Sequence, residues 1–129
     1  MPRLRVVAVA ARLPAWAEQA CAEYARRMPR GYEVERTLVK KEPARLAGCI
    51  ALDERGELAG GHVLAALLGE GRTFLIGGAD GLSDKAKREA AQLVRISSLT
   101  LPHALAQVVL LEQIYRAATL LTGHPYHRD

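Results

Sequence analysis

The chain has 129 residues, half of them hydrophobic, with 18 lysines and arginines against 14 aspartates and glutamates. That size suits one domain over residues 1–129, and the apolar half excludes a disordered chain and any need for a metal or disulfide staple. The net charge of +4 and the pI of about 9.4 admit an anionic partner such as RNA without requiring one.

Cys21 and Cys49 sit among apolar neighbours and form no Cys-x-x-Cys pair. Two reduced, buried thiols are expected. Arg3 and Arg5 precede a short apolar run that Arg12 ends. The run is too short for a signal-peptide core and predicts a strand instead. No stretch approaches the length of a membrane span, so a soluble, cytoplasmic protein is expected.

In chain order, the β-branched run predicts a first strand over 4–10. Leu13 and Pro14 open a helix. Trp16, Ala17, Ala20, Cys21, Tyr24 and Met28 recur along it at helical spacing. Arg26, Arg27 and Arg30 suit its negative end, and Pro29 and Gly31 stop it. A second strand is predicted over 32–39 and a polar connection over 40–48. A third strand covers 49–52, with a turn at 53–56. Gly60 and Gly61 lead into a short helix over 62–68. A fourth strand over 73–76 runs straight into Gly77-Gly78-Ala79-Asp80-Gly81. Ser83 caps a helix expected to reach about residue 93, and 94–99 holds a last strand. Residues 100–103 form a loop, 104–122 a long helix, and Gly123 its end. Alternating strands and helices imply an α/β sandwich on a mostly parallel sheet.

The last helix is apolar around most of its circumference: Ala104, Leu105, Val108 to Leu111, Ile114, Ala117, Ala118, Leu120 and Leu121, interrupted by Gln107, Glu112, Gln113, Arg116 and Thr119. One sheet cannot cover such a surface; either further elements or a second subunit must, and in so small a chain a symmetric dimer is expected.

Three segments carry candidate chemistry. The turn from Gly77 to Ser83 follows a buried strand and opens a helix; it is either an ordinary glycine turn or a place where a ligand meets bare backbone. Ser97-Ser98-Leu99-Thr100-Leu101-Pro102-His103 is either a helix cap or the wall of a slot for a flat ligand. The tail crowds His124, Tyr126, His127 and Arg128 into five positions, either a frayed end or a contact for a phosphate and a stacked base. His103, His124 and His127 lack the further ligands a zinc site wants, so no metal is expected. Glu112 and Arg116 stand four apart, the spacing of a helical ion pair.

Together these strings resemble the RlmH family of ribosomal RNA large subunit methyltransferases, in the SPOUT superfamily. The strings are Leu75-Ile76-Gly77-Gly78-x-x-Gly81-Leu82-Ser83, Leu99-Thr100-Leu101-Pro102-His103, Glu112-Gln113-Ile114-Tyr115-Arg116-Ala117 and His124-Pro125-Tyr126-His127-Arg128. The resemblance implies a SPOUT-type α/β knot: a mostly parallel sheet flanked by helices, ending in a trefoil knot that no local pattern reveals. It also implies a homodimer that uses S-adenosylmethionine to methylate N3 of a pseudouridine in 23S ribosomal RNA, in the ribosome rather than on free RNA. The cofactor would lie against Leu52, Gly77, Gly78, Ser97, Ser98, Leu99, Thr100, Leu101 and Pro102. His103, Arg116 and His124 would meet the RNA, and Tyr126, His127 and Arg128 would act at the target base. Membrane and metal have no part in this reading.

The chain departs from the family pattern twice. The stretch between the second and third strands is shorter and lacks a helix, and Ala79-Asp80 stands where the family has Pro-Glu. Other readings of the same residues are a non-catalytic nucleotide- or RNA-binding interaction domain of this fold, and a flavodoxin-like enzyme that holds a phosphate at the glycine turn.

Overall fold

The computed structural model describes residues 4–10, 12–45, 48–69, 71–78 and 80–126. Strand alternation decides which side chains meet which helix layer. In β1 (Leu4–Val9) the side chains of Leu4, Val6 and Ala8 are buried while Arg5 is exposed. β1 pairs in parallel with β2 (Val34–Val39) on one side and with β4 (Thr73–Ile76) on the other. β4 pairs with β3 (Cys49–Leu58), and β3 with β5 (Gln92–Arg95), giving the order β2-β1-β4-β3-β5. Every pairing is parallel, so central strands are covered on both faces. Phe74, Leu75 and Ile76 are all buried for that reason.

One face of the sheet presents Leu4, Val6, Ala8, Ile50, Phe74, Ile76 and Val94 to three helices. These are α1 (Ala15–Arg27), α2 (Gly61–Leu68) and α4 (His103–Thr122). Ala17 and Cys21 of α1, Leu64 and Leu68 of α2, and Leu110, Leu111, Ile114 and Ala118 of α4 complete that core. The other face has a thinner cover. There Cys49, Ala51 and Leu75 pack against Leu82 and against Ala86 of α3 (Asp84–Glu89). A helix of six residues cannot span five strands, and over the β2 edge Arg5, Glu35 and Thr37 stay exposed. The two cysteines are free and lie in different layers, and burial pushes both thiols up.

Four elements differ from the sequence expectation; one of them, β5, covers Gln92–Arg95 rather than falling within 94–99. β3 does not end at Leu52. Leu52 and Glu57 both stand opposite Val94, so residues 53–56 leave the ladder and the strand then resumes. A hydrogen bond from Ala59 N–H to the Arg95 carbonyl (2.8 Å) fixes the resumption. Gly56 makes it possible, because a Cβ there would lie 2.6 Å from the Val94 nitrogen. α3 stops at Glu89 rather than near residue 93. Ala91 N–H is drawn to the Cys49 carbonyl at 2.8 Å, and Leu93 is used as a strand residue against the second core. Tertiary pairing here overrides local helix propensity. Finally, α4 has 20 residues and is long and apolar enough to cross a membrane by length and composition alone, which corrects the expectation that no stretch reaches that size. Its inner face is core: Leu110, Leu111, Ile114, Ala117 and Ala118 are fully buried. Gly123 ends it in the left-handed region at φ 76°.

Candidate active site

In open α/β sheets ligands collect at the carboxyl ends of the strands. Here β4 and β5 end, and β3 leaves its ladder, around a cavity of about 550 Å³. Its first wall is Leu52, Asp53 and Glu54, carried away from β5 by the excursion in β3. The second is Ile76 and the turn behind it: Gly77, Gly78, Asp80, Gly81 and Leu82. The third is Arg95, Ile96 and Ser97, continuing through Leu99, Thr100, Leu101 and Pro102 to His103 and Ala106 of α4.

The glycine turn is tight because its backbone doubles back on itself. Gly81 N–H donates to the Gly78 carbonyl at 2.9 Å. A Cβ on Gly77 would lie 2.6 Å from the Gly81 carbonyl carbon, and one on Gly78 would lie 2.8 Å from the Val9 carbonyl oxygen. Both distances are shorter than real Cβ contacts, so only glycine fits, and the cavity meets bare backbone. Ser83 closes the turn as the α3 cap, its hydroxyl accepting from Ala86 N–H at 3.1 Å. In the third wall the Ser97 hydroxyl accepts from Leu99 N–H at 2.9 Å.

The cavity has an aliphatic side and a charged side. Leu52, Ile76, Ile96 and Leu101 suit a flat apolar ring; Asp53, Glu54, Asp80, Lys87 and Arg95 supply charge. Lys87 pairs with Asp53 at 3.3 Å. At the α4 end, the amide nitrogen of Gln107, itself only 2% exposed, lies 2.8 Å from His103 Nε2 and anchors the ring.

The tail is organised elsewhere. Tyr126 folds back over α4, its ring 4.5 Å from that of Tyr115. Its hydroxyl donates to Glu112 Oε2 at 2.8 Å, and Arg116 donates to the same oxygen at 2.7 Å while lying over the Tyr126 ring. The helical ion pair expected of Glu112 and Arg116 is present. Burial, and then the Glu112 carboxylate, push the Tyr126 phenol well above its ordinary value. Tyr126 N–H donates to His124 Nδ1 at 3.2 Å. Glu112 is nine positions beyond His103, about 13 Å along the axis and half a turn round the helix. Among the described residues, none from His124 to Tyr126 lines the cavity of the same chain.

A family model described as "Predicted SPOUT methyltransferase" matches residues 2–127. Ribosomal RNA large subunit methyltransferase H from Polynucleobacter asymbioticus is 44% identical over 146 residues, covering 98% of this chain and 99% of that protein. The chain belongs to the SPOUT methyltransferases, in the RlmH family. Proteins of the same name from Thiobacillus denitrificans and Neisseria meningitidis are 43% and 37% identical, again over 98% of this chain and 99% of theirs. Those two alignments run over 155 and 154 residues, against 129 here, so this RlmH-family chain lacks a stretch its relatives carry. Two solved structures share the fold. One is a methylase family protein of Haemophilus influenzae, with TM-score 0.63 and 10% identity over 99% of this chain and 71% of that one. The other is a TrmH-family protein of Porphyromonas gingivalis, with TM-score 0.56 and 13% identity over 89% and 60%.

Of the residues expected to meet the cofactor in this SPOUT methyltransferase, Leu52, Gly77, Gly78, Ser97, Leu99, Thr100, Leu101 and Pro102 line the cavity and Ser98 does not. Of those expected to meet RNA, His103 lines it, while Arg116 and His124 lie with Tyr126 on the tail side. His127 and Arg128 lie outside the described residues. Sequence reasoning missed the charged side. Asp53 stands in the excursion of β3, Lys87 on α3 and Arg95 at the end of β5, and a charge at the close of a short apolar run was the available signal for Asp53 and Arg95.

Proposed function

We propose that this SPOUT methyltransferase transfers a methyl group from S-adenosylmethionine to N3 of a pseudouridine in 23S ribosomal RNA. It acts in the cytoplasm, as a single-domain homodimer, on the assembled ribosome. The observation that carries this reading is the cavity shared by three neighbouring turns, of about 550 Å³, within the range of small-ligand sites. The residues present fit the donor: aliphatic side chains for a purine, bare glycine backbone for its polar edge, and a charged side for an amino-acid group. A trefoil-knotted path through these turns belongs to the same reading, supported by membership of the SPOUT family.

When bound, the donor supplies an electrophilic methyl group on a sulfonium. The chain's own part is alignment, since in-line displacement depends on placing the nucleophile against the methyl. The turns hold the donor. His103 stands in the wall where the target base would enter, and Tyr126, His127 and Arg128, with His124 and Arg116, steady the RNA. Tyr126 docks on α4 against Tyr115 and Glu112 and does not line its own chain's cavity, which supports a tail that serves the cavity of the second subunit. Exposed apolar side chains support that pairing: Trp16, Leu38, Leu99 and Leu105 are 54%, 37%, 74% and 37% accessible. All four lie on segments at the carboxyl ends of the strands, the cavity's own end of the molecule. The modest net charge of +4 neutralises few phosphates, which favours an assembled ribosome over free RNA.

The test is a map of methyl groups in ribosomal RNA from cells with and without the gene. Loss of one methylated pseudouridine in the large subunit is expected; an unchanged map overturns the proposal.

A further inference from the structure

Among the described residues, the Arg95 guanidinium in the cavity wall has no ion-pair partner. Asp53 is occupied, since it pairs with Lys87 at 3.3 Å and accepts Arg55 N–H at 3.0 Å. Arg95, the last residue of β5, lines the same cavity. Val94 faces the three-helix core, and Leu93 packs in the other layer with Ala51 and Leu75. Alternation puts Arg95 on that second face, the face from which Asp53 reaches Lys87. The Arg95 Nε is buried and meets no acceptor, and among the described residues its guanidinium forms no ion pair. A buried donor left unmet in a native fold calls for an explanation, and a guanidinium beside a cavity is the natural fork for a carboxylate or phosphate.

The neighbouring charges decide between those two. Arg95 and Lys87 line the cavity with Asp53, Glu54 and Asp80, two cations against three carboxylates. A phosphate would meet Glu54 and Asp80, which form no ion pair among the described residues. A zwitterion with an extra positive charge suits the mixed wall, and the methionyl half of a sulfonium donor is such a group. We propose that Arg95 is a donor-specificity residue that receives the α-carboxylate of the methionyl group. The assignment rests on the donor named under Proposed function and adds which end of it faces β5.

The test compares two ligands by calorimetry. S-adenosylhomocysteine carries the amino-acid group; 5′-methylthioadenosine lacks it. In R95M the affinity for S-adenosylhomocysteine is expected to fall about tenfold or more, the scale of one charged hydrogen-bonded pair, while that for 5′-methylthioadenosine holds. In R95K, which keeps the charge without the fork, the loss is smaller. Equal weakening of both ligands in R95M and R95K, or no weakening of either, overturns the subsite. So does a fall in kcat/KM for ribosomes at unchanged S-adenosylhomocysteine affinity, which would give Arg95 to an RNA phosphate. Wild-type protein that binds neither ligand overturns the donor assignment itself, and the subsite with it.

Discussion

Glu42 accepts two hydrogen bonds from Ser83, 41 residues further along: the backbone N–H at 2.7 Å and the hydroxyl at 2.6 Å. Ser83 in turn accepts from Ala86 N–H, so a carboxylate in the shortened connection after β2 supports the start of α3 and the glycine turn in front of it. Negative charge at a helix start is favourable in its own right. Glu42→Ala is expected to cost about 1 kcal/mol and to lower Tm by about 3–6 °C. Ser83→Ala should cost a similar amount, and the double variant less than the sum. Strict additivity in thermal melts would show that the contact contributes nothing.

Glycines at three positions separate space from function. Gly77→Ala and Gly78→Ala would place a Cβ 2.6–2.8 Å from backbone atoms, so the turn must open. We expect S-adenosylhomocysteine affinity to fall at least tenfold in both, with a lower Tm. Gly61 has nothing within 4 Å of its Cβ position and starts α2. Gly61→Ala should hold or raise Tm, by up to about 1 kcal/mol of stability. Equal behaviour of all three variants would contradict the turn geometry.

Removing residues 126–129 should abolish methylation and leave S-adenosylhomocysteine affinity within about twofold, since no described tail residue lines the cavity. Mixed dimers give a sharper check. Tail-deleted subunits combined with Gly77→Ala subunits should recover activity that neither has alone, because an intact tail then serves an intact cavity. Mixtures as inactive as their components would return the tail to its own chain.

The docked tail should also respond to alkali. Burial and the Glu112 carboxylate raise the Tyr126 phenol above its usual value of 10.0. A raised folded value means the contribution is complete below the unfolded value and is lost as pH rises through the folded one. Tail docking should therefore be intact at neutral pH and weaken only in strong alkali. In a titration followed by tyrosinate absorbance, Tyr126→Phe should delete the latest-ionising component. An unchanged curve would mean the ring does not sit against Glu112.

Local signals carried much of this fold. The run from Thr73 to Ile76 has no polar break and ends on glycine, and it is β4. Ser83 marks a helix start by its side-chain hydroxyl and Gly123 a helix end by its left-handed backbone. What the sequence hid depends on distant partners. Glu57 and Leu58 rejoin the sheet because Arg95 offers a carbonyl to Ala59, and Leu93 leaves a helical pattern because Cys49 captures Ala91. The site divides the same way. Backbone-lined turns were legible as motifs, whereas the pairing of Asp53 with Lys87 and the isolation of Arg95 appear only when β3, α3 and β5 are brought side by side. Ser98 shows the limit of a motif: it lies within a matching segment yet is the one residue of that segment between Ser97 and His103 that does not line the cavity.

The third wall of the cavity, from Arg95 to Ala106, is also the last to be translated. A growing polypeptide has only two of the three walls until β5 and the first turn of α4 have been added. Premature termination before Ser97 thus removes most of the third wall together with every α4 side chain of the main core, so cavity and fold are lost in one stroke.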